Sequence, residues 1–137
     1  MTSREALAQA IRECQQRFTY RGEPQGDDVW QTPRETEALG SGDCEDLAVW
    51  SIATAWDLSQ DEDIAATFYL VAGTAEGGGH AWVELIDEQG VTLWGDPTPG
   101  WPKALAPRGA WPTHVPGWAY RWTGHEFAEK LEYAPTP

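Results

Sequence analysis

Residues 40–58 read GSGDCEDLAVWSIATAWDL, a glycine-bounded turn that runs straight into a stretch dense in helix formers and apolar on most sides. That pattern predicts a central, largely buried helix from Asp43 to about Leu58. It also puts Cys44 at the helix start, where unpaired backbone N–H groups and the positive end of the helix dipole converge. A thiolate there is stabilised, so the expectation is a lowered pKa and a usable nucleophile, with the Cys44 N–H free to hold an oxyanion. The flanking acids Asp43, Glu45 and Asp46 oppose this, because negative charge beside a sulfur raises its pKa. Either they point away or a cation neutralises them.

Upstream, Thr2 or Ser3 caps a first helix in which Leu7, Ile11, Cys14 and Phe18 fall on one apolar stripe. Cys14 is therefore read as core packing. With only two cysteines, the chain has no disulfide framework. Residues 21–42 are rich in turn formers and polar groups and read mainly as a surface loop, interrupted where Thr32-Pro33 and Glu35 open a short helix that ends at Gly40.

Downstream the period changes from helix to strand. ATFYLVA (66–72), HAWVELI (80–86) and VTLW (91–94) are β-rich runs; Gly77-Gly78-Gly79 reads as a flexible connector and Asp87–Gly90 as a hairpin loop. From Asp96 to Trp122 the chain is Pro-, Gly- and Trp-rich, too irregular for regular elements. Thr123 with Glu126 makes a capping box for a short final helix over about 124–131. Helix, loop, central helix, then antiparallel strands is an α+β layout: one domain, with the Cys44 helix packed on a small sheet.

A nucleophilic thiol needs a base, and the base needs an orienting carboxylate. Of the three histidines, His114 and His125 read as surface residues, whereas His80 heads a strand just after the glycines. If 87–90 is a four-residue loop, Ile86 faces Val91 and His80 falls within one residue of Asp96. A bulge at Gly95 or a five-residue loop is expected to set the two directly opposite.

Composition narrows the class. The 137 residues are enough for one self-sufficient core. Twenty-two acidic residues against nine basic give a net charge of −13, which argues against nucleic acid and suits basic peptides or divalent cations. The nine Trp exceed what a core this size needs, so several are expected to line or cover a groove. Residues 1–20 hold scattered charges rather than a signal peptide's apolar core, and no stretch approaches the roughly 18 apolar residues of a membrane span. The expected location is the cytoplasm.

GDCED (42–46), HAWVEL (80–85) and WGDPTPG (94–100) together resemble the transglutaminase-like superfamily, whose Cys, His and Asp follow in this order on a papain-like core. WQTPRETEALGSGDCED (30–46) is similar to the bacterial transglutaminase-like cysteine proteinases, which carry W-x-T-P-x-E before G-D-C-E-D. The resemblance spans about residues 18–100 and implies Cys44 as nucleophile, His80 as base then acid, and Asp96 as the orienting residue. It places Trp30 at the oxyanion or as a groove wall, with Trp82 also near substrate. In calcium-dependent members of that family the acids beside the cysteine bind the ion, which implies Asp43 and Glu45 as calcium ligands, with Asp61 and Asp63 to close the site. The chemistry itself requires no cofactor.

The function expected is a cysteine peptidase or amidase acting on a protein or peptide. Two alternatives stand beside it: a transglutaminase, in which an amine replaces water, and a non-catalytic binding or assembly module. Zinc on Cys44 and His80 lacks the paired ligand spacing of such sites.

Overall fold

The computed structural model describes residues 1–22, 30–59, 66–128 and 130–133. Helix α1 (Ser3–Arg17) starts on a complete capping box: the Thr2 side chain accepts from Glu5 N while Glu5 reaches back to Thr2 N. Strand β1 (Thr19–Tyr20) leads away from it. Helix α2 (Pro33–Leu39) repeats the device with Thr32 and Glu35, places Pro at its first position, and ends on Gly40 at φ 69°. Strand β2 (Ser41–Gly42) then lies parallel to β1, a two-stranded clip inside the stretch read as loop. Helix α3 (Cys44–Leu58) begins where expected, with Asp43 as N-cap.

Strands β3 (Thr67–Ala75) and β4 (Gly78–Ile86) are longer than their apolar runs suggest. The glycine segment is no connector: Glu76 (φ 52°) and Gly77 (φ 82°) form a two-residue turn of the left-handed kind that matches strand twist, while Gly78 and Gly79 pair within β4. Strand β5 (Thr92–Gly95) pairs Thr92 with Ile86, so the loop is 87–91 rather than 87–90.

The segment 96–122 holds two strands that its composition hides, β6 (Ala106–Pro107) and β7 (His114–Arg121). Long-range pairing with β3 overrides its weak local propensity. The expected final helix is absent among the described residues. Thr123 does receive the Glu126 N–H, but it also donates its own N–H to Glu126 O (2.9 Å), and Gly124 at φ 103° closes a turn. The chain then returns as β8 (Leu131–Glu132) beside β7. All pairings of the six-stranded sheet, ordered β6-β5-β4-β3-β7-β8, are antiparallel.

Helices α1 and α3 cover one face of the sheet. Leu7, Ile11, Ala48 and Ile52 meet Phe68, Leu70, Ala81, Val83 and Leu85 there in the main core. The alternate residues Val71, Trp82 and Trp94 form a second core on the far face, under Trp111 and Tyr133. Much of the tryptophan surplus is thus spent covering a sheet face on which no helix of the described residues packs. No helix of the described residues is long and apolar enough to cross a membrane. Asp61 and Asp63 lie outside the described residues.

Candidate active site

Cys44 occupies the first turn of α3, and Asp46 explains why the turn forms as it does. Its buried carboxylate accepts from Asp43 N (3.0 Å) and from Gln31 N (2.7 Å), while Asp43 Oδ1 accepts from Asp46 N (3.0 Å). Gly42 makes room for this: a Cβ there would press into the Asp46 side chain. The first helical bond runs from Leu47 N to Asp43 O, so the Cys44 amide precedes the ladder.

The sulfur packs into the main core beside Ala81, the residue after His80, whose backbone N–H favours its ionised form. Cys44 is 8% exposed. Burial and then the Asp43 charge push its thiol up to about 12; the Ala81 bond pulls down, and Glu45 and Asp96 push up again. The shift is upward, the reverse of the expected lowering, with desolvation and the Asp43 carboxylate as its leading causes.

His80 and Asp96 do meet: Nε2 lies 2.7 Å from Oδ2. They are not opposite one another. The register Val83–Gly95 leaves Asp96 one step beyond the ladder, on the level of Trp82, and His80 reaches it diagonally along the same far face. The longer loop shifts the register away from direct opposition, the reverse of the expectation. Asp96 is fully buried. Burial pushes its carboxyl up, but hydrogen bonds from His114 and His80 and the Thr98 N–H outweigh this and hold it below the usual aspartate value. The Gln15 side chain of α1 donates to the carbonyls of Asp96 (3.1 Å) and Thr98 (3.3 Å), pinning the segment from below.

The residue that sequence reasoning missed is His114. It is buried, not a surface residue, and its Nε2 lies 2.9 Å from the same Asp96 oxygen. Its place depends on an irregularity: Ala72 pairs with Trp118 but Gly73 pairs with Pro116, so Gly117 is the extra residue of a β-bulge. The bulge flips the alternation of β7 and turns His114 to the far face, beside His80. Gly73 is what permits it, since a Cβ there would collide with the Val115 carbonyl.

The tryptophans divide. Trp82 is fully buried, and its ring stacks against that of His80 with centres 6.1 Å apart. Trp101 lies 5.3 Å from the other side of that ring. Trp30 packs edge-on against Tyr120 (5.0 Å) and, with Glu45, Ala72, Trp118 and Lys130, lines a cleft of about 310 Å³ next to the Cys44 turn.

His80, Asp96 and His114 are the one His/Cys/Asp/Glu group among the described residues whose ligand atoms all lie within 4.8 Å of one another. Their 2.7 and 2.9 Å separations are hydrogen bonds. Two ligands on one tetrahedral zinc, at bonds of about 2 Å, would stand roughly 3.3 Å apart. For calcium, one Asp43 oxygen and both Asp46 oxygens accept from backbone amides, and Asp61 and Asp63, expected to complete a site with Asp43 and Glu45, lie outside the described residues.

No model of a known protein family matches the chain, and no curated protein sequence matches it. Among solved structures it is similar to LapG of Legionella pneumophila. The calcium-bound form aligns at TM-score 0.65 and 21% identity, covering 91% of this chain and 71% of that one. Another LapG structure aligns at 0.67 and 21% (88% and 68% covered), and an EGTA-treated one at 0.66 and 20% (91% and 67% covered). The likeness is one of fold, which among the described residues comprises three helices and a six-stranded antiparallel sheet.

Proposed function

We propose that the chain is a cysteine-dependent acyl-transfer enzyme, a peptidase or amidase that acts on a protein or peptide through Cys44, His80 and Asp96. The observation that carries the reading is the buried His80–Asp96 pair at 2.7 Å, one residue along the chain from Ala81, whose backbone N–H favours ionisation of Cys44. Asp96 takes the Nε2–H of His80, which leaves Nδ1 as the base. Because the thiol is pushed up to about 12, Cys44 gives its proton to Nδ1 as the sulfur attacks the substrate carbonyl. The Cys44 N–H receives the developing oxyanion. His80 then returns the proton to the leaving amine, and water, activated by the same nitrogen, hydrolyses the thioester.

Trp30 serves as a wall of the substrate cleft. An amine in place of water gives transamidation from the same acyl-enzyme. Incubation with a peptide library and a labelled amine, followed by mass spectrometry, separates the two. Cleaved peptides without amine incorporation support hydrolysis, and no product that depends on Cys44 counts against both. A calcium effect has one specific support: Asp43 and Glu45 raise the thiol's pKa, and a cation on them would remove that penalty. No step above requires it.

A further inference from the structure

We propose that His114 is a positioning residue of this site: it holds the Asp96 carboxylate through the same oxygen as His80 and thereby fixes the orientation and tautomer of the His80 ring. The role rests on the acyl-transfer reading, although the geometry that argues for it does not.

Asp96 Oδ2 stands between two imidazoles, with His80 Nε2 at 2.7 Å and His114 Nε2 at 2.9 Å. Oδ1 accepts from Thr98 N at 3.0 Å. An ionised carboxylate is acceptor-only, so both ring nitrogens facing it must carry hydrogen. On His114 the other nitrogen meets Thr113 Oγ1 at 2.9 Å, a hydroxyl able to donate to it, which matches an Nε2–H tautomer. His80 is held as the same tautomer, with its Nδ1 lone pair available to the thiol.

Neither ring is free to turn. Trp82, Trp101 and Trp111 surround His114 with ring centres 4.7 to 4.9 Å away. The other groups facing Asp96 cannot substitute for it. Gln15 from α1 is neutral and bonds the backbone, Thr98 supplies only an amide, and Cys44 from α3 adds negative charge once ionised. Farther along the same face Glu84 is paired with Arg108. Without His114, a buried carboxylate would keep one side-chain donor, and desolvation would favour its protonation. A protonated Asp96 would accept poorly from His80 and release the ring into the other tautomer. The β-bulge at Gly117 is the feature of the fold that delivers this second histidine.

The test is long-range proton–nitrogen NMR of the full chain, labelled with nitrogen-15, at pH 7. It is run on wild type, His114→Leu and His114→Gln, with the rate of Cys44 alkylation by iodoacetamide measured in parallel and urea midpoints recorded. Wild type is expected to show Nε2–H tautomers at both His80 and His114. In His114→Leu the His80 pattern moves toward a mixture and the rate falls about tenfold to a hundredfold. In His114→Gln, whose amide N–H reaches the same carboxylate, most of the rate and the tautomer return. A loss of stability with the His80 tautomer and the rate per folded molecule unchanged overturns the proposal. So does an Nδ1–H tautomer at His114 in wild type, a readout that survives if His114→Leu fails to fold. Expected tautomers in a wild type whose Cys44 is unreactive would uphold this geometry and sink the acyl-transfer reading instead.

Discussion

Cys14 and Cys44 invite a direct comparison, because the two helices that carry them pack together and the two thiols share most local properties. Both are buried, Cys14 at 0% and Cys44 at 8% exposure, and both thiols are pushed up to about 12 with burial as the leading cause. Cys14 sits mid-helix among Phe18, Leu47 and Trp50, and its sulfur contacts the Leu47 carbonyl at 3.9 Å. Cys44 sits on the first turn, where its sulfur meets an amide rather than a carbonyl, one residue from His80. What separates them is the sign of the neighbouring backbone dipole and the proposed base His80, not intrinsic acidity. A nucleophile can rest as a thiol if the group that takes its proton is already oriented.

The sharpest way to break the comparison is to remove the base. His80→Ala is expected to lower the alkylation rate of Cys44 about a hundredfold or more while leaving Cys14 as inert as before. Equal rates in wild type and variant would reduce Cys44 to a second packing cysteine.

Next comes stability. Cys14→Ser buries a hydroxyl among aromatic rings and should cost about 1–3 kcal/mol by urea denaturation, with labelling of Cys44 unchanged. Cys44→Ser, at the cleft, should cost less. A reversed order would mean that their structural roles are assigned the wrong way round.

The shared property gives a smaller, common effect. Both folded values, about 12, lie above the unfolded thiol value of 9.0, so the contribution of each to stability is intact below pH 9 and drains away as pH rises toward 12. Cys14→Ala should remove part of that alkaline loss, and a stability profile flat from pH 9 to 11 in wild type would contradict it.

The smallest effect concerns only the Cys44 side. If calcium relieves the Asp43 and Glu45 charges, it should raise the alkylation rate several-fold at pH 7, and Glu45→Gln should blunt the response. Identical rates in calcium and in chelator remove the ion from the account.

The sequence disclosed the helical layer and the Cys-His-Asp order because those features are local. The capping residues Thr2, Thr32 and Asp43 start helices by side-chain bonds to the next turn, and the apolar stripe of α1 is a matter of spacing. His80 and Asp96 were paired from one hairpin, although a slip in loop length misjudged their register. His114 was hidden because its position depends on a distant partner strand and on one extra residue. Neither the pairing of β7 with β3 nor the bulge at Gly117 leaves a mark within a short window of sequence. The upward push on the Cys44 thiol was hidden for a similar reason: burial in a core assembled from both helices and the sheet leads it.

The most direct test of the central claim is labelling with an electrophilic acyl-mimicking probe, mapped by peptide mass spectrometry, on wild type, Cys14→Ala and Cys44→Ala. The account predicts rapid modification at Cys44 in wild type and Cys14→Ala, and none in Cys44→Ala. Equal labelling of Cys44→Ala, or a wild-type Cys44 no faster than a free thiol, would contradict it.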